Sequence, residues 1–380
     1  MQEPLYEQIY RQVYAEIEAG RLRPGDRVPS EKELADRYQV SRITSKKALE
    51  KLAQAGIIAR ARGKGSFVNH APAAPVAVAT PDGTPAQPNT LHQVVGFLLP
   101  DFSGTFGERM VRAVERQLRE YNKRMILCRT EGQRELEDRA IDSCLALGVG
   151  GLIVFPVYGD YHNERIIRLV LNRFPVVVVD RSLKGISVCT VATDHRQAAA
   201  DLTRHLIELG HRRIAFFTPP PAGTSSIEDR LQGVTATMAA HGLPFTPDDF
   251  VQLYCTVSGA YAPHAADVAR DEVAVRIYLQ SHPDVTAIIT CEHTLAMIAR
   301  HVLIQLGKRI PEDYSIATFD TGHLEYIEPH LTHIAQDETA IGSLAVELLL
   351  SQIAGNEAPL RTSTPHQLRI GTSTGGARTS

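Results

Sequence analysis

Between residues 94 and 320 short apolar runs alternate with longer amphipathic stretches. The runs are VVGFLLP (94–100), MILCRT (125–130), GLIVFPV (151–157), PVVVVD (175–180), RRIAFFTP (212–219), TAIITC (286–291) and YSIATFD (314–320). Between them lie segments such as FGERMVRAVERQLREYN (106–122) and DHRQAAADLTRHLIELG (194–210). Continuous apolar runs without polar alternation suit strands buried on both faces. Strand–helix alternation predicts parallel sheets with helices on both sides. The 290 residues from 91 to 380 fit two such lobes better than one sheet.

In open sheets of this kind ligands bind beyond the carboxyl ends of the strands. Asp101, Asp180 and Asp320 follow three of the runs, and Cys291-Glu292 follow a fourth. Carboxylates converging there serve acid–base catalysis or accept hydrogen bonds from ligand hydroxyls. Each also suits a helix cap, which is the expected role of Glu292. Cys291-Glu292-His293 has metal-binding residue types, but three adjacent side chains do not converge in regular structure. His195, His211, His293, His301, His330 and His333 are dispersed and expected on the surface or in loops. No H-E-x-x-H occurs, and no spacing suggests a nucleophile with its base. The reading is a non-enzyme without a cofactor or metal.

Residues 1–70 have a different character. The formal charge is −3 overall, but +4 over 1–70 and −7 over the rest. Within 37–70 eight cations (Arg37, Arg42, Lys46, Lys47, Lys51, Arg60, Arg62, Lys64) stand against one acid, Glu50. A basic head on an acidic body points to a polyanionic partner for the head. Leu5, Ile9, Val13 and Ile17 form one helical stripe. Ser30 and Glu33 have capping-box spacing, starting a second helix with Leu34, Ala35 and Tyr38 inward. Ser41 is the expected N-cap of a third, closed by Gly56. There Ala48, Leu49, Leu52 and Ala53 face inward, and Arg42, Ile43, Lys46 and Lys47 lie near the exposed N-terminal half. Two short helices with a basic second one make a helix-turn-helix, whose second helix enters the major groove. IIARARGKGSFV (57–68) reads as a hairpin turning at Arg62-Gly63-Lys64-Gly65. Glycine beside lysine also suits a nucleotide phosphate loop. That loop needs more residues between its glycines and a Ser or Thr after the lysine.

NHAPAAPVAVATPDGTPAQPNT (69–90) holds five prolines and six alanines with no periodicity. It reads as an extended linker, assigned to 71–90, of roughly 26 Å root-mean-square span as a coil. A linker this loose does not transmit a rigid rotation. Five scattered cysteines without a C-x-x-C pair read as reduced thiols of a cytoplasmic protein. No apolar run is long enough to span a membrane.

PSEKELADRYQVSRITSKKALEKLAQAGIIARARGKGSFV (29–68) resembles the winged helix of GntR-type bacterial transcription regulators. Those show P-S-E-x-x-L-A, V-S-R-x-T, A-L-x-x-L and G-K-G-T-F-V in that order. By position the resemblance implies DNA contacts from Lys32, Ser41, Arg42, Thr44 and Lys46, and from Arg62, Gly63 and Lys64 on the wing. The family has arginine where this chain has Lys46. Lysine keeps the charge but loses the guanine-reading fork, which leaves Arg42 to read bases and Lys46 to contact phosphate.

The body resembles the effector domain of the LacI/GalR repressors, the fold of periplasmic sugar-binding proteins. Matching stretches include VGFLLPDFSGTFGERMVRAVE, VGGLIVFP, PVVVVDRS, DRLQGVTATMAAHGLP and LTHIAQDETAIGSLAVELLL. The hybrid is similar to the arabinose repressors of Gram-positive bacteria. It implies a small α+β winged helix-turn-helix domain (1–70), the linker, and a two-lobe α/β domain with parallel sheets (91–380). Asp101, Asp180, Arg230, Asp320 and Gln336 fall on family ligand contacts, with Phe102 or Phe106 as an apolar wall. Cys291-Glu292 replace the family's Asn-Asp pair. The implied partners are operator DNA, a sugar-like effector and a second copy of the chain, with no membrane. A non-sugar effector such as a nucleoside, and activation in place of repression, stay open. The chain is expected to cross between lobes near 191–194, 321–332 and 355–367.

Overall fold

The computed structural model describes residues 5–18, 21–22, 25–38, 40–54, 58–61, 65–68, 93–102, 105–159, 163–256, 265–321 and 330–378. Arg62, Gly63 and Lys64 at the wing tip, and the 71–90 linker, lie outside the described residues. The chain divides into two compact units, Met1–Ala86 and Gln87–Ser380.

In the first unit, helices α1 (Leu5–Glu18), α2 (Glu31–Tyr38) and α3 (Arg42–Gln54) pack beside a three-stranded antiparallel sheet. Its strands are β1 (Arg27–Val28), β2 (Ile58–Ala61) and β3 (Gly65–Val68), with β3 central. Ile9, Val13, Leu34, Ala48, Leu49 and Leu52 are buried together, while Leu5, at the end of the first stripe, is exposed. The α2 capping box forms: the Ser30 N–H donates to the Glu33 carboxylate (2.7 Å) and the Glu33 N–H to Ser30 Oγ (3.3 Å). Ser41 caps α3 by accepting from the Thr44 N–H at 3.2 Å. Buried Ser45 Oγ donates to the Glu31 carbonyl (2.7 Å), tying α3 to α2. β1 was not expected, because two residues carry no periodicity.

The second unit holds two six-stranded sheets. The first lobe runs β4 (Val94–Leu99), α4 (Glu108–Glu120), β5 (Arg124–Arg129), α5 (Arg134–Ala146), β6 (Gly151–Val154), α6 (Glu164–Leu171), β7 (Val176–Val179) and β8 (Cys189–Thr193). The second runs α7 (His195–Glu208), β9 (Ile214–Thr218), α8 (Ser225–Ala240), β10 (Phe250–Gln252), α9 (Ala265–Ser281), β11 (Ala287–Thr290), α10 (His293–Gln305), β12 (Ser315–Phe319) and β13 (Thr332–Gln336). Helix α11 (Glu338–Ile353) and strand β14 (Arg361–Thr364) return to the first lobe, and β15 (His366–Arg369) ends in the second. Strand orders are β5-β4-β6-β7-β8-β14 and β10-β9-β11-β12-β13-β15, parallel except at β15, which pairs antiparallel with β13. Strands β6, β7, β9, β11 and β12 are buried at every residue, which explains their unbroken apolar character.

The chain therefore crosses between lobes at 193–195, 336–338 and 364–366. The middle crossing lies later than the 321–332 read from the sequence. Residues 332–336 form β13 and pair with β12, so the chain stays in the second lobe until Gln336. His195 and His211 are buried, not surface residues as expected. His211 bonds Thr286 Oγ1 (2.8 Å), Ser315 Oγ (2.9 Å) and the Gly375 carbonyl (3.1 Å), pinning the C-terminal tail to the second sheet.

Helices α7 and α8 pack closely at Gly233, where an added Cβ would lie 2.3 Å from the Arg196 carbonyl oxygen. Gly233→Ala gains about 1 kcal/mol of helix propensity. It forces two backbones apart, an overpacking cost of about 1–3 kcal/mol. The expected result is a lower urea midpoint for the body, measured by circular dichroism.

Candidate functional site

Each lobe's strand order reverses once, between β4 and β6 in the first and between β9 and β11 in the second. At such a point adjacent loops diverge and leave a crevice at the carboxyl ends of the strands. The two crevices meet in one cavity of about 90 Å³, which limits its occupant to a small molecule. Phe106 follows β4, Phe155 and Tyr158 follow β6, Arg230 stands on α8, and Cys291, Glu292 and His293 follow β11. The fourth strand in each order supplies Asp180 (after β7) and Asp320 (after β12), and Gln336 ends β13.

Asp180 and Asp320 occupy equivalent places. Both have left-handed backbones, φ 65° and 54°, a region that aspartate tolerates better than most residues. Both donate their N–H at 2.9 Å to the neighbouring strand, Asp180 to Val191 and Asp320 to Ile334. Each strand thus turns sharply at its end and presents a carboxylate to the cavity.

Arg230 is buried and donates to the Cys291 carbonyl at 2.6 Å. It also donates to His195 Nδ1, at 3.3 Å from Nε and 3.2 Å from Nη2, and stacks 4.0 Å from the Phe319 ring centre. A nitrogen that accepts carries no proton, so His195 holds its proton on Nε2. That nitrogen donates to the Asp180 carbonyl at 3.0 Å and lies 3.5 Å from Asp180 Oδ1. Arg181, also buried, sits 3.9 Å from the Tyr158 ring centre and 3.7 Å from Asp180 Oδ2.

These surroundings separate the acids. Burial alone would raise the Asp180 carboxyl, but His195, Arg181 and Arg230 hold it down at about 2. Burial pushes Asp320 up to about 7, against the pull of Arg230 and of the Gln336 N–H donated at 2.7 Å. Burial raises Glu292 as well. Asp180 Oδ1, Glu292 Oε1 and Gln336 Oε1 are buried without a hydrogen-bond partner. Arg181 Nε lacks an acceptor, and His293 Nδ1, a donor or an acceptor according to its tautomer, is unpartnered as well. Buried polar atoms are normally paired. Three acceptors and a donor gathered here call for an occupant that both donates and accepts, as hydroxyl groups do.

Of the residues expected from the sequence, Asp180, Arg230, Asp320, Gln336 and Phe106 come together, and Phe106 meets Phe155 edge-on at 6.1 Å. Asp101 does not line the cavity; its carboxylate accepts from the Phe102 N–H at 2.9 Å and lies 3.9 Å from Arg129. Phe102 is likewise outside the lining. Glu292 occupies the N-cap position of α10, yet its side chain makes no capping bond and turns to the cavity instead. Arg181, His195 and Tyr158 were missed. An arginine directly after a strand-end acid was the available signal for Arg181; His195 and Tyr158 had none.

On the head, Lys32, Ser41, Arg42 and Lys46 are exposed and Thr44 is half-buried. Lys46 lies 3.8 Å from Glu50. Not all eight cations of 37–70 form one face. Arg37 pairs with Glu16 at 2.9 Å, Lys47 lies 4.1 Å from the Tyr6 ring centre and Lys51 4.9 Å from that of Tyr10. These three hold α1 through charge and ring contacts, leaving Arg42 and Lys46 at the start of α3.

The gntR family of bacterial regulatory proteins matches residues 5–68, and the periplasmic binding protein-like domain matches residues 203–374. The chain is 28% identical over 362 residues to an arabinose metabolism transcriptional repressor of Geobacillus stearothermophilus, covering 92% of this chain and 91% of the relative. Its fold is similar to that of the transcription regulator CcpA of Lactococcus lactis, with a TM-score of 0.65 and 21% identity over 74% of this chain and 99% of that one. A LacI family regulator from Enterococcus faecium, solved with bound ribose, aligns with a TM-score of 0.60 at 25% identity, over 75% of this chain and 100% of that one.

The two aspartates act oppositely on stability. Asp180, depressed, contributes stability that is present above its ordinary value of 3.8 and lost as pH falls through about 2. Asp320, elevated, contributes stability that is full below 3.8 and lost as pH rises through about 7. Asp320→Asn is therefore expected to flatten the decline in stability between about pH 4 and 7. Urea titrations at several pH values measure it; the share of Glu338, also raised by burial to about 7, remains.

Proposed function

We propose that this chain is a transcription regulator, with a head that matches the gntR family and a body that matches the periplasmic binding protein-like domain, and that it is a cytoplasmic repressor released from its operator by a sugar. The observation that carries the effector reading is the set of unpartnered polar atoms in one small cavity: Asp180 Oδ1, Glu292 Oε1, Gln336 Oε1, His293 Nδ1 and Arg181 Nε. A polyhydroxylated molecule meets both kinds of demand at once. Phe106, Phe155 and Tyr158 supply the apolar wall on which a sugar ring lies. The similarity to an arabinose metabolism repressor, and the ribose bound by a structural relative, support a pentose such as arabinose.

The head binds double-stranded DNA through the start of α3 and the wing. Arg42 reads bases, Lys46 and Lys32 meet phosphates, Ser41 and Thr44 lie at the same helix end, and Arg62, Gly63 and Lys64 follow the backbone from the wing. Two copies bind a pseudo-palindromic operator as a dimer. The effector closes the lobes like a hinge and weakens DNA binding by no more than its differential affinity for the two states.

The test is a gel-shift titration on a duplex that the protein selects from a random pool. Arg42→Ala is expected to cost about 1–3 kcal/mol of base discrimination, lowering operator affinity and relaxing preference. Unchanged affinity and preference would overturn the α3 assignment. Arg230→Lys keeps a cation opposite Asp180 but loses the planar fork. It is expected to leave operator binding intact and to weaken release by sugar about 10- to 100-fold. Normal release in that variant would overturn the cavity assignment.

A further inference from the structure

The first lobe contains a pair of thiols that the effector site does not use. Cys128 lies near the end of β5, the edge strand of the sheet, and Cys144 lies on α5, which packs against β5 and β4. Their sulfurs are 3.8 Å apart. Of the five free cysteines, Cys144, Cys189, Cys255 and Cys291 are buried, and only Cys128 is partly open to solvent. One accessible thiol therefore has a buried thiol in contact behind it. Gly96 on β4 makes room for this arrangement: a Cβ there would fall 2.9 Å from Cys144 Sγ and 2.5 Å from Leu152 Cδ2. The side chain on the sheet beneath Cys144 is absent, and its sulfur settles against the strands beside Cys128.

We propose that Cys128 and Cys144 form a reversible disulfide within one chain when a hydroperoxide reaches the first lobe. The Cys128 thiolate attacks the outer oxygen of the hydroperoxide. The O–O bond breaks, and the leaving oxide takes a proton to depart as water or an alcohol. Cys128 is then a sulfenic acid. The Cys144 sulfur attacks the Cys128 sulfur, releasing water with the hydroxyl and the Cys144 proton, and the S–S bond forms. Two thiols lose two electrons and two protons, and the peroxide bond gains them. A disulfide needs about 2.05 Å between sulfurs, so the pair closes by roughly 1.8 Å. An S–H donated from Cys144 toward Cys128 lowers the Cys128 thiol below the ordinary thiol value, which favours its thiolate. The bond would fasten β5 to α5. On α5, Glu137 accepts from the Val157 N–H at 2.9 Å, next to Tyr158 of the cavity wall.

The experiment treats the full-length protein with one equivalent of hydrogen peroxide, then maps peptides by mass spectrometry without reduction. The expected product is a cross-linked peptide pair containing Cys128 and Cys144, lighter by two hydrogens and restored by dithiothreitol, with no covalent dimer on a non-reducing gel. Cys144→Ala is expected to stop at a Cys128 sulfenic acid that dimedone captures. Cys128→Ser is expected to leave Cys144 unmodified. Absence of the Cys128–Cys144 peptide in the unaltered protein, or equal yields of other pairings, would overturn the proposal whether or not either variant folds.

Discussion

Arg230 is a guanidinium buried where the two lobes meet, and the site is built around it. It rises from α8 of the second lobe, and its charge acts on Asp180 of the first lobe as well as on Asp320 of the second. A buried charge left without such surroundings is strongly destabilising. The arrangement of the lobes is thus tied to keeping this charge satisfied. His195 links the two by accepting from Arg230 and donating to the Asp180 carbonyl. It sits directly after the first crossing between lobes. The Cys291 carbonyl and the Phe319 ring complete the enclosure.

The same geometry connects the cavity to the crossings. Gln336, which donates to Asp320, is the last residue of β13 before the chain returns to the first lobe. Glu338, first residue of α11 after that return, accepts from the Gly107 N–H at 2.6 Å. Gly107 adjoins Phe106 of the cavity wall. A change in lobe angle therefore moves the acceptors and the aromatic wall together.

The architecture was legible because both periods were strong. Unbroken apolar runs gave the buried parallel strands, and capping-box and stripe spacing gave α2 and α3. The middle crossing was misplaced because β13, THIAQ, is short and alternating, and nothing in it marks the second sheet. Asp180 and Asp320 were readable as acids at strand ends, whereas Gln336 was placed only by the family resemblance. Arg181 was marked only by its position after a strand-end acid, and Tyr158 by nothing, because its place depends on which loops the strand orders bring together. The histidines were misread for a related reason: His195 and His211 are polar in sequence but satisfied by buried partners that only the fold assembles. The even basic face expected of the head became smaller once Arg37, Lys47 and Lys51 were found against α1.

The most direct test of the account is the thermal melting of the full-length protein in the presence of single monosaccharides, nucleosides and organic acids. A ligand present at a hundred times its dissociation constant stabilises the folded body by about 2.7 kcal/mol. The account predicts a rise in melting temperature with one pentose or hexose, lost in Gln336→Ala. Stabilisation by an acidic metabolite alone, or by a sugar with Gln336→Ala unaffected, would contradict it.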